Sequence, residues 1–473
     1  MELFYLSVFA ICSALIGWFA KGRNRTGLLL ALSVWAVFWL QPDSRIKGLD
    51  FWLPIATLTL AVLSWVAVTP AEKLSWRENW KSGLIIASVV VVWALLPFLK
   101  LPREFGFPPQ PLIAQAASAV CIILLIVALF SRAPRPVFLW AVFVGILAFF
   151  VIIKTPALTV AASSFLRFFS RQSPNQALAV DIRWFGYSYI AFRILHTFLD
   201  RRSGRMPLVN LGEYVAYVIF YPALAAGPID RVERFVEDLR NPKSLTGSDW
   251  FQAGERILLG VFKKFALADS LAYLALTNVE ADKVQAGWWT WVVVYAYAFQ
   301  IFFDFSGYTD IAIGIARLVG VNLPENFLSP YLRPNLAQFW NSWHISLTQW
   351  FRSYFFNPLT RALRSNRNLP SAAIILTAQL STMLVIGLWH GVALRFVLWG
   401  LWHGVGLFVQ NRWSAFARLP LENWATTPGR KNLLTLSGIF LTFNYVAVGW
   451  IFFAMPSASL ALEMISRLLG WRG

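Results

Sequence analysis

Acidic residues are scarce: 23 Asp and Glu stand against 41 Lys and Arg, and charged residues fill only 14% of 473 positions. Soluble domains carry about 25% charged residues, so a water-soluble globule is excluded. Cysteine is almost missing. Cys12 and Cys121 both sit inside apolar runs, which argues against a disulfide framework or a thiolate metal site. No phosphate-cradling glycine loop, HExxH zinc pair or GxSxG nucleophile elbow occurs. Inverted repeats of the kind many transporters carry are missing as well, since the doubled pentapeptide GLWHG is too short to count. Strict alternation of apolar and polar residues is absent, which excludes a barrel. The first twenty residues lack a basic leader region and a clear small-residue cleavage site, so they read as a retained span.

What remains is apolar. Hydrophobic residues make up 58% of the chain, in runs at 3–20, 51–69, 83–99, 111–130, 137–153, 211–226, 286–303, 371–389 and 432–453. Shorter or more polar candidates lie at 26–40, 182–199, 252–276, 307–321 and 393–410. A helix needs about 20 residues to cross a ~30 Å hydrocarbon core. The reading is an all-α, polytopic helical membrane protein with roughly 10–14 membrane elements by that length rule, some re-entrant.

The net charge of +18 would suggest nucleic acid in a soluble chain. Here the excess sits in short loops, KGRNR at 21–25, SRAPRP at 131–136 and DRRSGR at 200–205. Positive loops on the cytoplasmic side explain it without a polyanion. Residues 331–370 hold Arg333, Arg352, Arg361, Arg364 and Arg367 and no acid, which places them at the cytoplasmic face. Residues 1–153 are hydrophobic hairpins that read as scaffold; from 154 to 473 the spans acquire Arg, His, Asp and Tyr. Function is expected in 180–455.

Ionisable groups at membrane depth are costly and therefore tend to be paired or functional. Four groups stand out. In FFDFSGYTDIAIG, Asp304 and Tyr308 share a helix face and Asp310 follows. They read either as a pin between helices or as the wall of a polar cavity. In QFWNSWHISL, Asn341, His344 and Ser346 are accompanied by Trp340 and Trp343; the plain alternative is an interfacial helix whose histidine caps a neighbour. In the third group His390 ends an apolar run before Gly391, where another backbone or a ligand can approach. Its imidazole can take a proton from a hydroxyl, or simply meet a buried carbonyl. His403 lies thirteen residues on, a turn of about 220° on one continuous helix, which makes it a supporting residue. In YIAFRILHTFLDRRSG, Arg193, His196 and Asp200 suggest a helix-end ion pair. Imidazoles in an aromatic-lined membrane cavity suit general-base catalysis of acyl transfer.

The segments AAGPIDRVERF (225–235), FFDFSGYTDIAIGIARLVGVNLPENFLSPYL (302–332), QFWNSWHISLTQWFRSYFFNPL (338–359), IGLWHG (386–391) and GWIFFAMPS (449–457) resemble the membrane-bound O-acyltransferase family in its bacterial branch. That branch includes alginate O-acetylases and the transferase that D-alanylates teichoic acids. The resemblance implies helices around a central tunnel. It puts the family's histidine on His390 and its partner on His344, with Asp304, Tyr308, Asn341, Trp343 and Trp389 shaping the cavity. It implies no permanently bound cofactor and no metal. The acyl donor is a cytosolic thioester co-substrate, acetyl-CoA or an acyl carrier protein, met by Arg352 and Arg361. The acceptor is a hydroxyl of a cell-envelope polysaccharide or teichoic acid, reached directly or through an extracytoplasmic relay partner, in a bacterial plasma membrane. GPIDR with Asp230 is closer to the D-alanyl branch, whereas the other segments suit both. The rival readings are a transporter or flippase for an anionic lipid-linked glycan, and a structural envelope subunit.

Overall fold

The computed structural model describes residues 3–20, 23–96, 113–130, 135–242, 245–276, 287–365 and 369–470. Positions 21–22, 131–134 and Arg367 of the basic loops, and 97–99, 111–112 and 286 of three expected runs, lie outside the described residues. Among the described residues the chain is helical throughout, without strands; a single isolated bridge joins Phe327 and Trp343.

In chain order the helices are α1 (Leu3–Phe19), α2 (Arg23–Trp39), α3 (Leu49–Val68), α4 (Trp76–Leu95), α5 (Ile113–Phe130), α6 (Arg135–Lys154), α7 (Pro156–Phe169), α8 (Tyr187–Arg202), α9 (Leu211–Val218), α10 (Val232–Arg240) and α11 (Gly247–Val261). A π-helical stretch (Phe262–Ala268) leads to α12 (Asp269–Ala272) and α13 (Gly287–Leu318). There follow α14 (Leu336–Trp340), α15 (Ile345–Phe351), α16 (Asn357–Arg364), α17 (Ser371–His390), α18 (Leu394–Trp424), α19 (Pro428–Ala454) and α20 (Ala458–Leu468). The chain divides into two compact units, Met1–Ile257 with Ala312–Leu323 and Leu258–Ile311 with Pro324–Gly473. Residue 153, where the sequence changes texture, falls inside the first unit.

By length and apolar composition five described helices can cross a membrane: α3, α4, α6, α17 and α19. Three shorter apolar helices accompany them, in α1, α5 and α7. The other expected membrane elements are shorter, more charged or interrupted. Residues 211–226 hold the eight-residue α9 and a 3₁₀ turn, Tyr221–Ala223, because Pro222 stops the helix. The two runs at 286–303 and 307–321 are one 32-residue helix, α13. The polar interval between them does not break it, because its acids find partners along the helix side.

In the first unit α3 starts at Gly48, whose φ of 73° needs glycine. Trp65 from α3 is 1% exposed and donates its indole N–H to the Val209 carbonyl at 3.0 Å. Helix α9 carries a capping box between Asn210 and Glu213, and Glu213 also takes Arg240 of α10 at 2.8 Å. The fourth polar group of the sequence lies here as structure. His196 meets Asp200 at 3.1 Å and the Tyr217 hydroxyl at 2.5 Å, and Arg205 joins Asp200 at 2.9 Å. Arg193 turns to the carbonyls of Val218 and Ala223 instead.

In the second unit α17 and α18 pack as an antiparallel pair through glycines. A Cβ on Gly400 would come 2.7 Å from the Met383 carbonyl oxygen, and one on Gly404 3.1 Å from the Leu380 Cα. Small residues four apart let helix backbones meet closely in a membrane, where lipid offers no hydrophobic incentive for association. Gly260 and Gly307 do the same between α11 and α13.

Candidate functional site

Two imidazoles meet one indole in the second unit. Trp389 lies between His344, with ring centroids 6.4 Å apart, and its neighbour His390, at 4.4 Å. Phe305 of α13 stands edge-on to His344 at 4.7 Å, and Phe453 of α19 stands edge-on to His390 at 4.7 Å. These apolar walls come from three helices, α13, α17 and α19, and the histidines from the cap of α15 and the end of α17.

His344 is the N-terminal cap of α15 and sits in the left-handed region at φ 44°, uncommon for a residue with a Cβ. Asn326 holds it there. The Asn326 backbone oxygen accepts from Ile345 N at 2.9 Å, and its side-chain oxygen accepts from Ser346 N at 3.1 Å. The same side-chain oxygen lies 3.1 Å from His344 Nδ1. Because a backbone N–H already needs an acceptor at that atom, it is the carboxamide oxygen, and Nδ1 must be the donor. A neutral His344 therefore carries its lone pair on Nε2. Burial pushes the His344 imidazole down to about 3, so the ring is neutral at pH 7.

His390 is the last residue of α17 and is partly exposed, unlike His344. The helix stops there as the backbone of Gly391 becomes extended, packed so closely on the Phe396 ring that a side chain would strike it. The chain turns within three residues into α18, so the continuous helix assumed for His390 and His403 does not exist. His403 belongs to α18, antiparallel to α17, and Trp399 contacts both imidazoles, at 5.5 Å from His390 and 4.9 Å from His403. His403 is closer to the site than a 220° turn implies. Its ring is fully buried, with both nitrogens unpaired.

The other expected site residues are distributed as follows. Trp343 packs its ring against Phe327 at 5.1 Å and Trp450 at 5.0 Å, behind His344. Asn341 is exposed, and its side-chain oxygen takes Arg352, so the two form one surface pair. Arg361, on α16, is exposed. Asp304 is bonded to Lys264 and Asp310 to Lys263, the latter at 2.6 Å. Tyr308 is 8% exposed on the same helix. From this stretch of α13, Phe302, 6.2 Å from Trp343, and Phe305 stand beside the His344 neighbourhood. The two lysine–aspartate pairs tie α13 to the π-helical stretch. Consecutive lysines meet the acids because the π-helical stretch, with its wider turn, carries both.

Sequence reasoning missed Asn326, the residue that fixes His344. Its signal was a lone amide within the apolar stretch ENFLSPYL. It missed Lys263 and Lys264 too, whose signal was a basic pair in a run otherwise read as a span. Among the described residues no group of three His, Cys, Asp or Glu is placed to hold a metal ion.

Comparison with known proteins agrees with this arrangement. The profile of MBOAT, the membrane-bound O-acyltransferase family, matches residues 135–454. The teichoic acid D-alanyltransferase of Streptococcus thermophilus is 31% identical over 300 residues, 58% of this chain and 68% of that protein. A probable alginate O-acetylase of Pseudomonas putida is 31% identical over 288 residues, covering 60% and 55% of the two chains. A peptidoglycan O-acetyltransferase of Helicobacter pylori is 30% identical over 263 residues, covering 55% and 47%. With His390, His344 and their aromatic walls all inside the matched region, this chain belongs to the membrane-bound O-acyltransferase family, as a multi-pass membrane acyltransferase.

Proposed function

We propose that the chain moves an acyl group, acetyl or D-alanyl, from a cytosolic thioester to a hydroxyl of a cell-envelope polysaccharide or teichoic acid, with His390 as general base. The observation that carries this reading is the pair of imidazoles flanking Trp389, one partly exposed and one fixed in a single tautomer. His390 Nε2 or Nδ1 takes the proton as the acceptor oxygen attacks the acyl carbonyl. The new C–O bond forms, the C–S bond breaks, and the imidazolium returns its proton to the leaving thiolate. His390 closes the last turn of α17, and the negative end of a helix dipole favours the charge that arrives with the proton. His344, neutral with its lone pair on Nε2, accepts a hydrogen bond from the substrate and orients it.

The donor is bound at a cytoplasmic face rich in arginine, with Arg352 and Arg361 meeting a CoA phosphate or an acidic carrier protein. The acceptor is engaged on the far side, directly or through a relay partner, and the membrane is a bacterial plasma membrane. Family membership favours transfer over the transporter alternative. The test supplies purified membranes with labelled acetyl-CoA or labelled D-alanyl carrier protein. Transfer of either label into polymer ester supports the reading and names the donor; transfer of neither contradicts it.

A further inference from the structure

The first unit has its own cavity, of about 350 Å³, lined by none of the residues assigned to the site above. That is the small end of the ~300–1,000 Å³ range typical of ligand pockets. It is formed by the end of α6 (Phe150, Lys154) and the entry to α8 (Arg183, Trp184, Tyr187). Two cations line it and no acid does. The Arg183 side chain is exposed and makes no hydrogen bond or ion pair among the described residues.

The wall is stiff before any ligand arrives. Gln41 donates to the Arg183 carbonyl at 2.7 Å and accepts from Phe185 N at 3.3 Å. The Trp184 indole N–H donates to Thr57 Oγ1 at 2.8 Å, and its ring lies 4.6 Å from that of Tyr187. Gly186, at φ 70°, lets this loop enter α8 beneath the Leu224 carbonyl, which any Cβ would strike. A flat aromatic wall with cations beside it matches a hydroxylated ring or polyol that carries an acid.

Sidedness follows from the same two helices. Helix α8 ends in the basic loop at 200–205, and α6 follows the basic loop at 131–136. Both loops belong on the cytoplasmic side, so the opposite ends, where the cavity lies, face outward.

We infer that this cavity binds the acidic group, carboxylate or phosphate, of the envelope polymer that accepts the acyl group. The inference rests on the proposed reading for the identity of the polymer, and not for the chemistry of the pocket. Titration calorimetry of the whole detergent-solubilised chain with D-glucuronate, sn-glycerol 3-phosphate and glucose tests it. Binding of at least one of the two anions, with glucose at least tenfold weaker, is the expected result; equal binding of glucose, or no binding, overturns it. R183Q, a change at an exposed position that leaves the fold intact, weakens anion binding at least tenfold, and K154M does likewise; unchanged affinity in R183Q overturns the assignment. In nanodiscs, anion binding that disappears when neutral lipid is replaced by anionic lipid assigns the pocket to a lipid headgroup and overturns the polymer assignment; binding that persists supports it. H390A separates the two ideas. Retained anion binding with lost transfer supports both, and retained transfer sinks the catalytic reading while leaving the pocket to be judged by its own titration.

Discussion

His344 donates from Nδ1 to the side-chain oxygen of Asn326, 3.1 Å away, across an interval of 18 residues. That bond does three things at once. It selects the tautomer, holds a histidine in the left-handed backbone region, and closes the turn into α15 through Ser346.

Asn326→Ala removes this acceptor and leaves the Ser346 N–H buried and unpaired, which costs about 1–3 kcal/mol. The tautomer is no longer fixed. Transfer is predicted to fall by about ten- to a hundred-fold, on the scale seen when residues orienting a functional imidazole are removed. A thermal melt beside an ester assay separates the two effects; wild-type activity in a folded Asn326→Ala protein contradicts the role given to the bond.

The two lysine–aspartate pairs on α13 are predicted to differ in worth. Asp304 is 51% exposed at its side chain and Asp310 only 9%. Exposed pairs contribute about 0–1 kcal/mol, whereas removing one partner of a buried pair costs about 3–5 kcal/mol. Lys263→Ala therefore lowers the melting temperature clearly more than Lys264→Ala. Equal shifts contradict the greater worth given to the less exposed Asp310 pair.

Asp230 gives a pH test. It is buried, and desolvation lifts its carboxyl to about 6 against 3.8 for a free side chain, despite Arg234 at 2.5 Å. The folded protein therefore holds a proton there that the unfolded chain has released between pH 4 and 6. Its stabilising contribution is present below about pH 4 and lost as pH rises through 6. Asp230→Asn should gain on wild type over that window, by on the order of 3 kcal/mol. Melts from pH 4.5 to 7.5 showing a constant gap contradict this.

Packing between α17 and α18 gives a fourth. A methyl group on Gly400 would meet the Met383 carbonyl, with backbone on both sides. Gly400→Ala is predicted to destabilise by more than the few tenths of a kcal/mol usual for a surface change, because neither backbone can move aside. A neutral melt would show that the glycine is not a contact residue.

Much of this was legible in the residues. Apolar runs of span length became α3, α4, α6, α17 and α19, because hydrocarbon leaves a backbone no other way to satisfy its polar groups. His390 beside glycine at a helix end was also readable. What failed were inferences of continuity. The runs 286–303 and 307–321 were counted separately, yet they form one helix, since paired acids can remain on a helix. The stretch from His390 to His403 looked like one helix, yet Gly391 ends it. That Asn341 and Arg352 bond to one another at the surface was not readable from the sequence either. Asn326 offered only a lone amide in an apolar stretch, which does not say that it acts across 18 residues.

The central claim is the role of His390, and its substitution by alanine is the most direct measurement. General-base contributions run to about 10²–10⁴ in rate. A folded His390→Ala protein, assayed with wild type for acyl ester on the envelope polymer, is predicted to lose at least about a hundredfold. Ester at the wild-type level contradicts the account.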